Sequence, residues 1–482
     1  MLDFLVGNDA LSAIVAFIVV LIPAVLIHEL GHFLAAKAVG ITILEFGIGM
    51  PPRMVKLFTA GGTDYTLNWL PLGGFVRPLG EDMVSQKGSD ALEQDRVEAQ
   101  QRGFNRAMSV NEAKPLPRIF FFVAGALANF LMAFVLFVII ALTGVPEITG
   151  GLVSVQSLQA DSALADSGLQ EGDIIASING ERFVNGDELV DRLYELNGTE
   201  VTLSVLRGAG EDQQTITVTF TPNLPAAEDI NNFYPLVLGT AANSPAQIAG
   251  LQDTDIVLRF NGEPVDGIVS LQEMTGEHLG EEITLTILRD YREEVEVRLT
   301  PRANPPQGEG AMGISIGEAG VSAPLGVVYL QGEQRELVPQ TFGNAVSYSI
   351  NRITSVINSI VSIPGQILNR TADPNSLRLT SPLGISQAGA VFLQESIEQN
   401  QPGIIIEFMA LISLALGFTN LLPIPALDGG RILFVVIELL RGRPIAPERE
   451  GIVHLVGLAL LLSLMVVVLL NDIANPLTDL LR

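Results

Sequence analysis

The sequence predicts a multi-domain, polytopic α-helical membrane protein. It has four transmembrane helices, a membrane-associated β hairpin after the first, and two α+β domains inserted between the second and third. Three observations carry this prediction. Four apolar runs approach the roughly 20 helical residues that a bilayer core requires. The 482 residues are 48% hydrophobic, with a mean hydropathy of +0.40. The polar middle of the chain contains an internal repeat with an offset of 82 residues.

The overall composition excludes several classes of function. A formal charge of −26 argues against nucleic-acid binding, which needs a basic surface. The chain has no cysteine, so a disulfide, a thiolate metal site and a cysteine nucleophile are all excluded. Any metal must therefore be held by His, Asp or Glu. The first residues lack the basic segment and cleavage site of a signal peptide, and we expect the first span to be retained.

The first span, residues 10–36, ends in the motif His28-Glu29-Leu30-Gly31-His32. Positions four apart share one face of a helix, so both imidazoles can bind the same metal ion. Glu29 is then placed to accept a proton from a metal-bound water. The alternative is that these polar residues only mark the helix end at the membrane interface. Two of the four histidines in this pattern inside an apolar run favour a metal site.

Each expected segment follows from a local pattern. The glycine- and proline-broken alternation after the first span predicts a hairpin, and a Gly/Pro-rich stretch after the repeat predicts a linker. A helical stripe of isoleucines opposite Ser and Asn predicts an amphipathic helix that lies on the membrane surface or against the spans. The expected boundaries are spans 1–40, 117–145, 403–431 and 450–472, hairpin 41–80, cytoplasmic loop 81–116, repeat domains 147–222 and 234–302, linker 303–340 and amphipathic region 341–402.

The two copies of the repeat share a specific pattern. Gly168-Leu169-Gln170-Glu171-Gly172-Asp173 precedes the turn Asn179-Gly180, and Gly250-Leu251-Gln252-Asp253-Thr254-Asp255 precedes the turn Asn261-Gly262. An Asn-Gly pair is typical of a tight turn between two strands. These copies resemble PDZ domains of the bacterial kind. Such domains can bind a peptide as an added strand, or they can serve as a rigid spacer or gate, and the sequence leaves both open.

Two further polar residues lie in the apolar spans. Asp428, at the end of the third span, is flanked by prolines and followed by two glycines. Because these residues interrupt the helix, its carboxylate is free to point inward, which makes it the candidate third ligand of a His₂-carboxylate zinc site. Asn129 lies in the second span beside small residues that favour close helix packing. We expect packing alone to be its role, with a hydrogen bond across helices or a position facing the site as the alternatives.

The distribution of basic residues predicts the topology. Ten Lys and Arg lie between spans one and two, and four lie between spans three and four. The positive-inside rule assigns both loops to the cytoplasm, so both termini and the repeat domains lie outside it. His28 and Asp428 then fall at a similar depth, toward the cytoplasmic side.

The chain resembles the site-2 protease family of intramembrane zinc metalloproteases, in its branch of bacterial regulator-of-sigma-E proteases. The matching stretches are the HELGH motif, Phe46-Gly47-Ile48-Gly49, Leu70-Pro71-Leu72-Gly73-Gly74-Phe75-Val76, both PDZ-like copies and residues 420–430.

The resemblance implies roles for particular residues. His28, His32 and Asp428 would bind Zn²⁺, Glu29 would be the catalytic base, and Asn420 and Pro423 would face the substrate. It further implies a membrane-reentrant hairpin that pairs with an unwound substrate segment.

The resemblance also implies a cellular location and a kind of substrate. It assigns the protein to the bacterial inner membrane. Its substrate would be a single-span membrane protein such as an anti-sigma factor, and the PDZ pair would be a size filter.

Two other classes of function compete with this one. A non-enzymatic scaffold would use the PDZ pair to capture peptide ends beside a structural metal. A zinc transporter would need a chain of polar residues along several spans, and this sequence lacks one. The two remaining histidines, His278 and His454, are most simply structural.

Overall fold

The computed structural model describes residues 3–80, 88–104, 106–159, 162, 164, 167–208, 213–226, 230–306, 309–368, 378–443, 445 and 447–478. The chain forms two compact units. The helical unit comprises Met1–Val145 and Val338–Arg482, and the sheet unit comprises Pro146–Leu337. Residues 81–87 of the expected cytoplasmic loop and 369–377 of the expected amphipathic region lie outside the described residues.

The elements have the following bounds. The helices are α1 (Asp9–Ala16), α2 (Ile22–Val39), α3 (Gly88–Gln101), α4 (Pro115–Thr143), α5 (Gly186–Glu195), α6 (Pro245–Ile248), α7 (Gly267–Glu277), α8 (Phe342–Leu368), α9 (Pro382–Glu398), α10 (Gly403–Asn420), α11 (Asp428–Arg441) and α12 (Pro447–Ala474). The strands are β1 (Ile43–Ala60), β2 (Thr63–Pro78), β3 (Val145–Leu158), β4 (Ile174–Ile178), β5 (Val201–Arg207), β6 (Gln214–Phe220), β7 (Asn232–Thr240), β8 (Ile256–Phe260), β9 (Glu263–Pro264), β10 (Ile283–Arg289), β11 (Glu293–Leu299), β12 (Ile314–Ser322) and β13 (Val327–Val338).

Within the described residues, four helices of the helical unit are long and apolar enough to cross a membrane, in agreement with the expected number of spans. They are Asp9–Val39, Pro115–Thr143, Gly403–Asn420 and Arg449–Ala474. In the first, a π-helical turn at Phe17–Leu21 joins α1 to α2. Asn8 caps its start by accepting the Leu11 N–H at 3.1 Å. It ends at Gly40, whose φ of +83° is a conformation that glycine adopts without strain.

The hairpin of β1 and β2 is a bent, four-segment ribbon. The first half of β1 pairs on one side with the start of β2 and on the other with the end of β2, so that Ile48 is opposite both Leu67 and Gly74. The end of β2, which we call the edge segment (residues 73–78), is covered by β1 on one side. No other strand among the described residues covers its second side. The expected hairpin at 41–80 is therefore present and offers a free edge.

The sheet unit contains one sheet of eleven strands, whose order along its main path is β11-β10-β8-β7-β12-β13-β3-β4-β5-β6. The two halves of this order match the two copies of the repeat. Equivalent backbone hydrogen bonds join Val155 N–H to the Asp173 carbonyl and Val237 N–H to the Asp255 carbonyl, both at 2.8 Å. Each copy packs its own apolar core. The 82-residue repeat therefore corresponds to two structurally equivalent subdomains.

The structure corrects the expected linker at 303–340. This range supplies β12 to the second subdomain, where it pairs with β7, and β13 to the first, where it lies next to β3. Val327 and Tyr329 of β13 are buried in the core of the first subdomain. The Gly/Pro-rich composition describes only the turns around these strands. Their pairing partners lie far away in sequence, so local composition does not reveal them.

Two other expected segments differ in detail. Within the expected third span at 403–431, α10 ends at Asn420 and a second helix, α11, begins at Asp428. The expected amphipathic region contains α8, which runs through Pro364 without interruption, and α9. One face of α8 packs on α4 through Tyr348, Ile353 and Val356. This face of α8 therefore lies against a membrane-spanning helix, which was one of its two expected placements.

Candidate active site

The structure brings His28, His32 and Asp428 together. His28 Nε2 lies 3.1 Å from Asp428 Oδ2, His32 Nε2 lies 3.2 Å from the same oxygen, and the two Nε2 atoms are 3.1 Å apart. Both imidazoles project from one face of α2, as their spacing of four predicts. Asp428 is the first residue of α11, where the helix dipole favours a carboxylate.

These three atoms form a nearly equilateral triangle, and this geometry fits a zinc ion. A tetrahedral Zn²⁺ with bonds of about 2.0–2.1 Å has ligand atoms roughly 3.3 Å apart, close to the observed 3.1 to 3.2 Å. Two nitrogens and one oxygen are a donor set that zinc accepts, and a fourth position remains for water. Both histidines are 94% buried, so convergence of their ring nitrogens without a cation would be unfavourable.

The outer nitrogens of both rings are held by α4. His32 Nδ1–H donates to the Phe121 carbonyl at 2.9 Å, which leaves the Nε2 lone pair of the neutral ring free for a metal. The Asn129 side-chain amide lies 3.3 Å from His28 Nδ1. Asn129 is fully buried, so the expectation that it serves packing alone is wrong. The sequence did contain a sign of this contact: a side-chain amide stands in an apolar span that has few other polar groups, and such residues often have a function.

Helix α4 approaches α2 closely because small residues face each other. A Cβ atom on Gly31 would lie 2.8 Å from Ala128 Cβ and would overlap the Ala124 carbonyl oxygen. A Cβ atom on Gly125 would overlap His32 Nε2 and lie 2.8 Å from His28 Nε2. The glycines thus bring the carbonyl of Phe121 and the amide of Asn129 within reach of the imidazoles.

Glu29, a residue of α2, contacts the edge segment of the hairpin. A Cβ atom on Gly74 would lie 2.7 Å from Glu29 Cγ, so the absence of a side chain at Gly74 lets the strand pass directly over the glutamate. Likewise, a Cβ atom on Gly73 would lie 2.5 Å from Val25 Cγ1 of α2. The edge segment therefore passes over the side chain of the glutamate that follows His28 in sequence.

The remaining two candidates lie on either side of the end of α10. Asn420 is half-buried, and its side-chain N–H donates to the Leu416 carbonyl of its own helix at 3.0 Å. Pro423 is exposed in the loop that leads to Asp428. This loop packs so tightly on α11 that a Cβ atom on Gly429 would overlap the Leu421 and Leu422 carbonyl oxygens. The described contacts connect neither Asn420 nor Pro423 to the three converging atoms.

The unit that holds the membrane-length helices thus brings together two imidazoles and a carboxylate, with a glutamate next to the first imidazole in sequence. This donor set is typical of a metal-dependent hydrolase. Comparison with known proteins gives the particular group: the chain belongs to Peptidase family M50, whose family model matches residues 16–464. It is a zinc metalloprotease of the site-2 type, which confirms the resemblance seen in the sequence.

Three relatives illustrate the extent of the similarity. The zinc metalloprotease RasP of Geobacillus kaustophilus is 28% identical over 481 residues, which cover 96% of this chain and 98% of that protein. The regulator of sigma E protease of Haemophilus influenzae is 28% identical over 476 residues, covering 95% and 97%. The regulator of sigma-E protease RseP of Escherichia coli is 26% identical over 481 residues, covering 95% and 98%. This chain therefore matches these proteases over nearly their whole length.

Proposed function

We propose that this zinc metalloprotease hydrolyses a peptide bond within or near the transmembrane segment of a single-span membrane protein. His28, His32 and Asp428 hold the zinc, and Glu29 is the catalytic base. The observation that carries the proposal is the triangle of three ligand atoms with sides of 3.1 to 3.2 Å, contributed by helices of the membrane-spanning unit.

Each residue has a defined part in the chemistry. Zinc held by His28, His32 and Asp428 would supply a Lewis acid that polarises the reacting carbonyl and acidifies the attacking water. Glu29 takes the proton from the attacking water and delivers it to the nitrogen of the leaving amine. Phe121 and Asn129 keep both rings oriented with Nε2 inward. Burial of these groups among apolar helices limits the access of bulk water to the reacting carbonyl.

The edge segment solves a physical problem posed by a helical substrate, whose peptide groups are hydrogen-bonded to one another. We propose that an unwound stretch of substrate pairs with the free side of residues 73–78, as a peptide adds to a sheet edge. Gly74 supports this role because the strand then presents its backbone beside Glu29 without an intervening side chain. Asn420 and Pro423 would contact the same stretch, as the family resemblance implies.

The sheet unit is proposed to be a pair of PDZ domains that gates access to the site. Its support is the pairing of β12 with β13, in which Ala319 to Ser322 face Val327 to Leu330. This pairing joins both subdomains into one continuous sheet. A joined pair is better suited to a size filter than two separately tethered domains. The charge distribution supports an extracytoplasmic position for this unit and a cytoplasmic-side position for the catalytic residues.

By analogy with the relatives named as regulators of sigma E, an anti-sigma factor is the proposed kind of substrate. The protein is assigned to the bacterial inner membrane, with the lipid bilayer as its environment. The formal charge of −26 argues against direct binding to nucleic acid. We therefore expect the protease to exert its effects through the protein that it cleaves.

The deciding experiment is cleavage of a single-span test substrate by the purified protein in liposomes. Wild type, Glu29→Gln and a chelator-treated sample are compared, and the zinc content of each is measured. We expect cleavage by wild type alone, with zinc retained in Glu29→Gln. Cleavage by the chelated, zinc-free enzyme would exclude the metal mechanism. Loss of zinc from Glu29→Gln would exclude a purely catalytic role for that residue.

A further inference from the structure

His454 is a buried histidine outside the converging triad, and its contact is with the loop that leads to Asp428. It lies on α12 and is only 2% exposed. Its Nδ1 accepts the backbone N–H of Ala426 at 2.8 Å. Ala426 precedes Asp428 by two residues, so one hydrogen bond from α12 fixes the backbone immediately before the candidate ligand. The expectation that His454 is simply structural overlooks this connection.

The conformation of Ala426 makes this bond important. Its φ of +79° lies in the left-handed region, where a residue with a Cβ atom is strained. Such a conformation persists only when surrounding contacts enforce it. Among the described residues, the Ala426 N–H donates its hydrogen bond to His454. A turn hydrogen bond from the Leu427 N–H to the Ile424 carbonyl at 3.2 Å also spans Ala426. Loss of the His454 bond therefore leaves this turn with one directed contact fewer to keep Ala426, and with it Asp428, in place.

A second contact between α12 and the loop lies one helical turn further on. A Cβ atom on Gly457 would lie 2.5 Å from Pro425 Cβ and 2.8 Å from the Pro425 carbonyl oxygen. Residues 454 and 457 are three apart and therefore share one helix face. The absence of a side chain at Gly457 allows α12 to seat on the loop, and His454 then reaches the amide. We call these two residues the α12 clasp.

The hydrogen bond from Ala426 identifies the tautomer of the neutral His454 ring. Because Nδ1 accepts the Ala426 N–H, the proton of the neutral ring is on Nε2. Within the described part of the chain Nε2 has no hydrogen-bond partner, and the nearest carboxylate oxygen, Glu450 Oε1, is 3.9 Å away. The ring of Phe434 packs against the imidazole with centroids 5.4 Å apart. Among the described residues, the hydrogen bond of this side chain is therefore the one to Ala426, in the loop before Asp428.

We propose that His454 is a positioning residue for the metal centre, and that the α12 clasp holds Ala426 in its left-handed conformation so that Asp428 meets the two histidines. This inference rests on the proposed function, because it takes Asp428 to be a zinc ligand. It makes the fourth span part of the active-site framework, although α12 itself contributes no ligand to the triad. Partners that orient metal ligands typically change metal affinity 10- to 100-fold when removed.

The experiment measures zinc affinity by chelator competition on the purified full chain. The variants are His454→Leu, Ala426→Gly and the double variant, with His278→Leu as the matched control. His278 is the control because its Nδ1 bonds to the Met274 carbonyl one helical turn away in the sheet unit. We expect His454→Leu to weaken zinc binding on the order of tenfold, whereas Ala426→Gly and His278→Leu remain close to wild type.

The double variant separates positioning from general destabilisation. Glycine adopts a positive φ without strain, so Ala426→Gly is expected to restore most of the affinity lost in His454→Leu. A loss of affinity that Ala426→Gly leaves unchanged would assign His454 a merely structural role. Wild-type affinity in folded His454→Leu would overturn the proposal outright.

Two further variants keep the test decisive. If His454→Leu does not fold, Gly457→Ala disturbs the same loop with His454 intact, and it too is expected to weaken zinc binding. Unchanged affinity in Gly457→Ala would then overturn the proposal. Asp428→Asn tests the underlying function: if this variant binds zinc like wild type, the ligand assignment fails. If it loses zinc and the clasp variants do not, only the role of the clasp fails.

Discussion

Gly125→Ala tests the geometry of the metal centre without removing a ligand. The added methyl group would overlap His32 Nε2 and lie 2.8 Å from both Nε2 and Cε1 of His28. Ordinary carbon contacts need about 3.5 Å or more, so either both rings or helix α4 must shift by roughly 1 Å. Metal sites tolerate deviations of only about 0.2 Å in their bond lengths. The substitution is therefore expected to displace the ligands from the zinc position.

The size of the effect follows from the cost of overpacking. Inserting one methyl group into a well-packed interior costs about 1–3 kcal/mol, and each 1.4 kcal/mol is a factor of ten in a binding constant. Gly125→Ala should thus weaken zinc binding by about 10- to 100-fold and reduce cleavage of a single-span substrate in parallel. The assay is chelator competition together with cleavage in liposomes, at a zinc concentration near the wild-type dissociation constant.

The matched control is Gly451→Ala, another glycine-to-alanine change in a helix of the same unit. A Cβ atom at Gly451 meets nothing within 4 Å, so zinc affinity should stay unchanged and the helix should gain slightly in stability. The reasoning is refuted if folded Gly125→Ala binds zinc as tightly as Gly451→Ala and cleaves at the same rate.

Three further predictions concern the catalytic base and the sheet unit. Glu29→Gln should lower cleavage at least 100-fold with zinc content unchanged, as measured by metal analysis; cleavage near the wild-type rate would contradict its role. Asp173→Asn should lower the denaturant midpoint of the sheet unit, because a fully buried carboxylate, whose two oxygens accept from the Arg207 guanidinium at 2.7 Å, loses its charge and one of its acceptors. In the control Glu171→Gln, an exposed pair is lost at a cost below about 1 kcal/mol; equal denaturant midpoints for both variants would refute the distinction. Burial raises the pKa of Tyr329, so the folded hydroxyl stays neutral where the unfolded one ionises, and stability should fall as the pH rises above about 10. Tyr329→Phe should lessen that alkaline loss in denaturant titrations at pH 9 and 11, and equal losses in both proteins would contradict it.

Local patterns in the sequence were sufficient for much of the fold. Apolar runs near the length of a bilayer core predict the four spans, because in lipid a helix satisfies all its own backbone hydrogen bonds. The i, i+4 spacing of His28 and His32 predicts a shared helix face, and their Nε2 atoms are 3.1 Å apart. The 82-residue repeat predicts two equivalent subdomains, whose cores are indeed built alike.

Other features depended on partners distant in sequence. Strands β12 and β13 lie within the range expected to be a linker, and only their pairing with strands of both repeats makes them part of the sheet. The contact of Asn129 with His28 joins residues 101 apart. It exists because glycines let α4 approach α2; the small residues of the second span predict a close approach, but they do not identify the partner helix.

The sequence by itself determined the class of this protein: an integral membrane chain, a histidine pair with its glutamate, a candidate aspartate and a duplicated soluble domain. Only the tertiary structure decided that Asp428 meets His28 across 400 positions, that the edge segment passes over Glu29, and that α12 holds the loop before the aspartate. The physical reason is that helix periodicity and hydrophobicity act over a few turns of chain. A metal centre, in contrast, is defined to within a few tenths of an ångström by packing between helices that sequence separates widely.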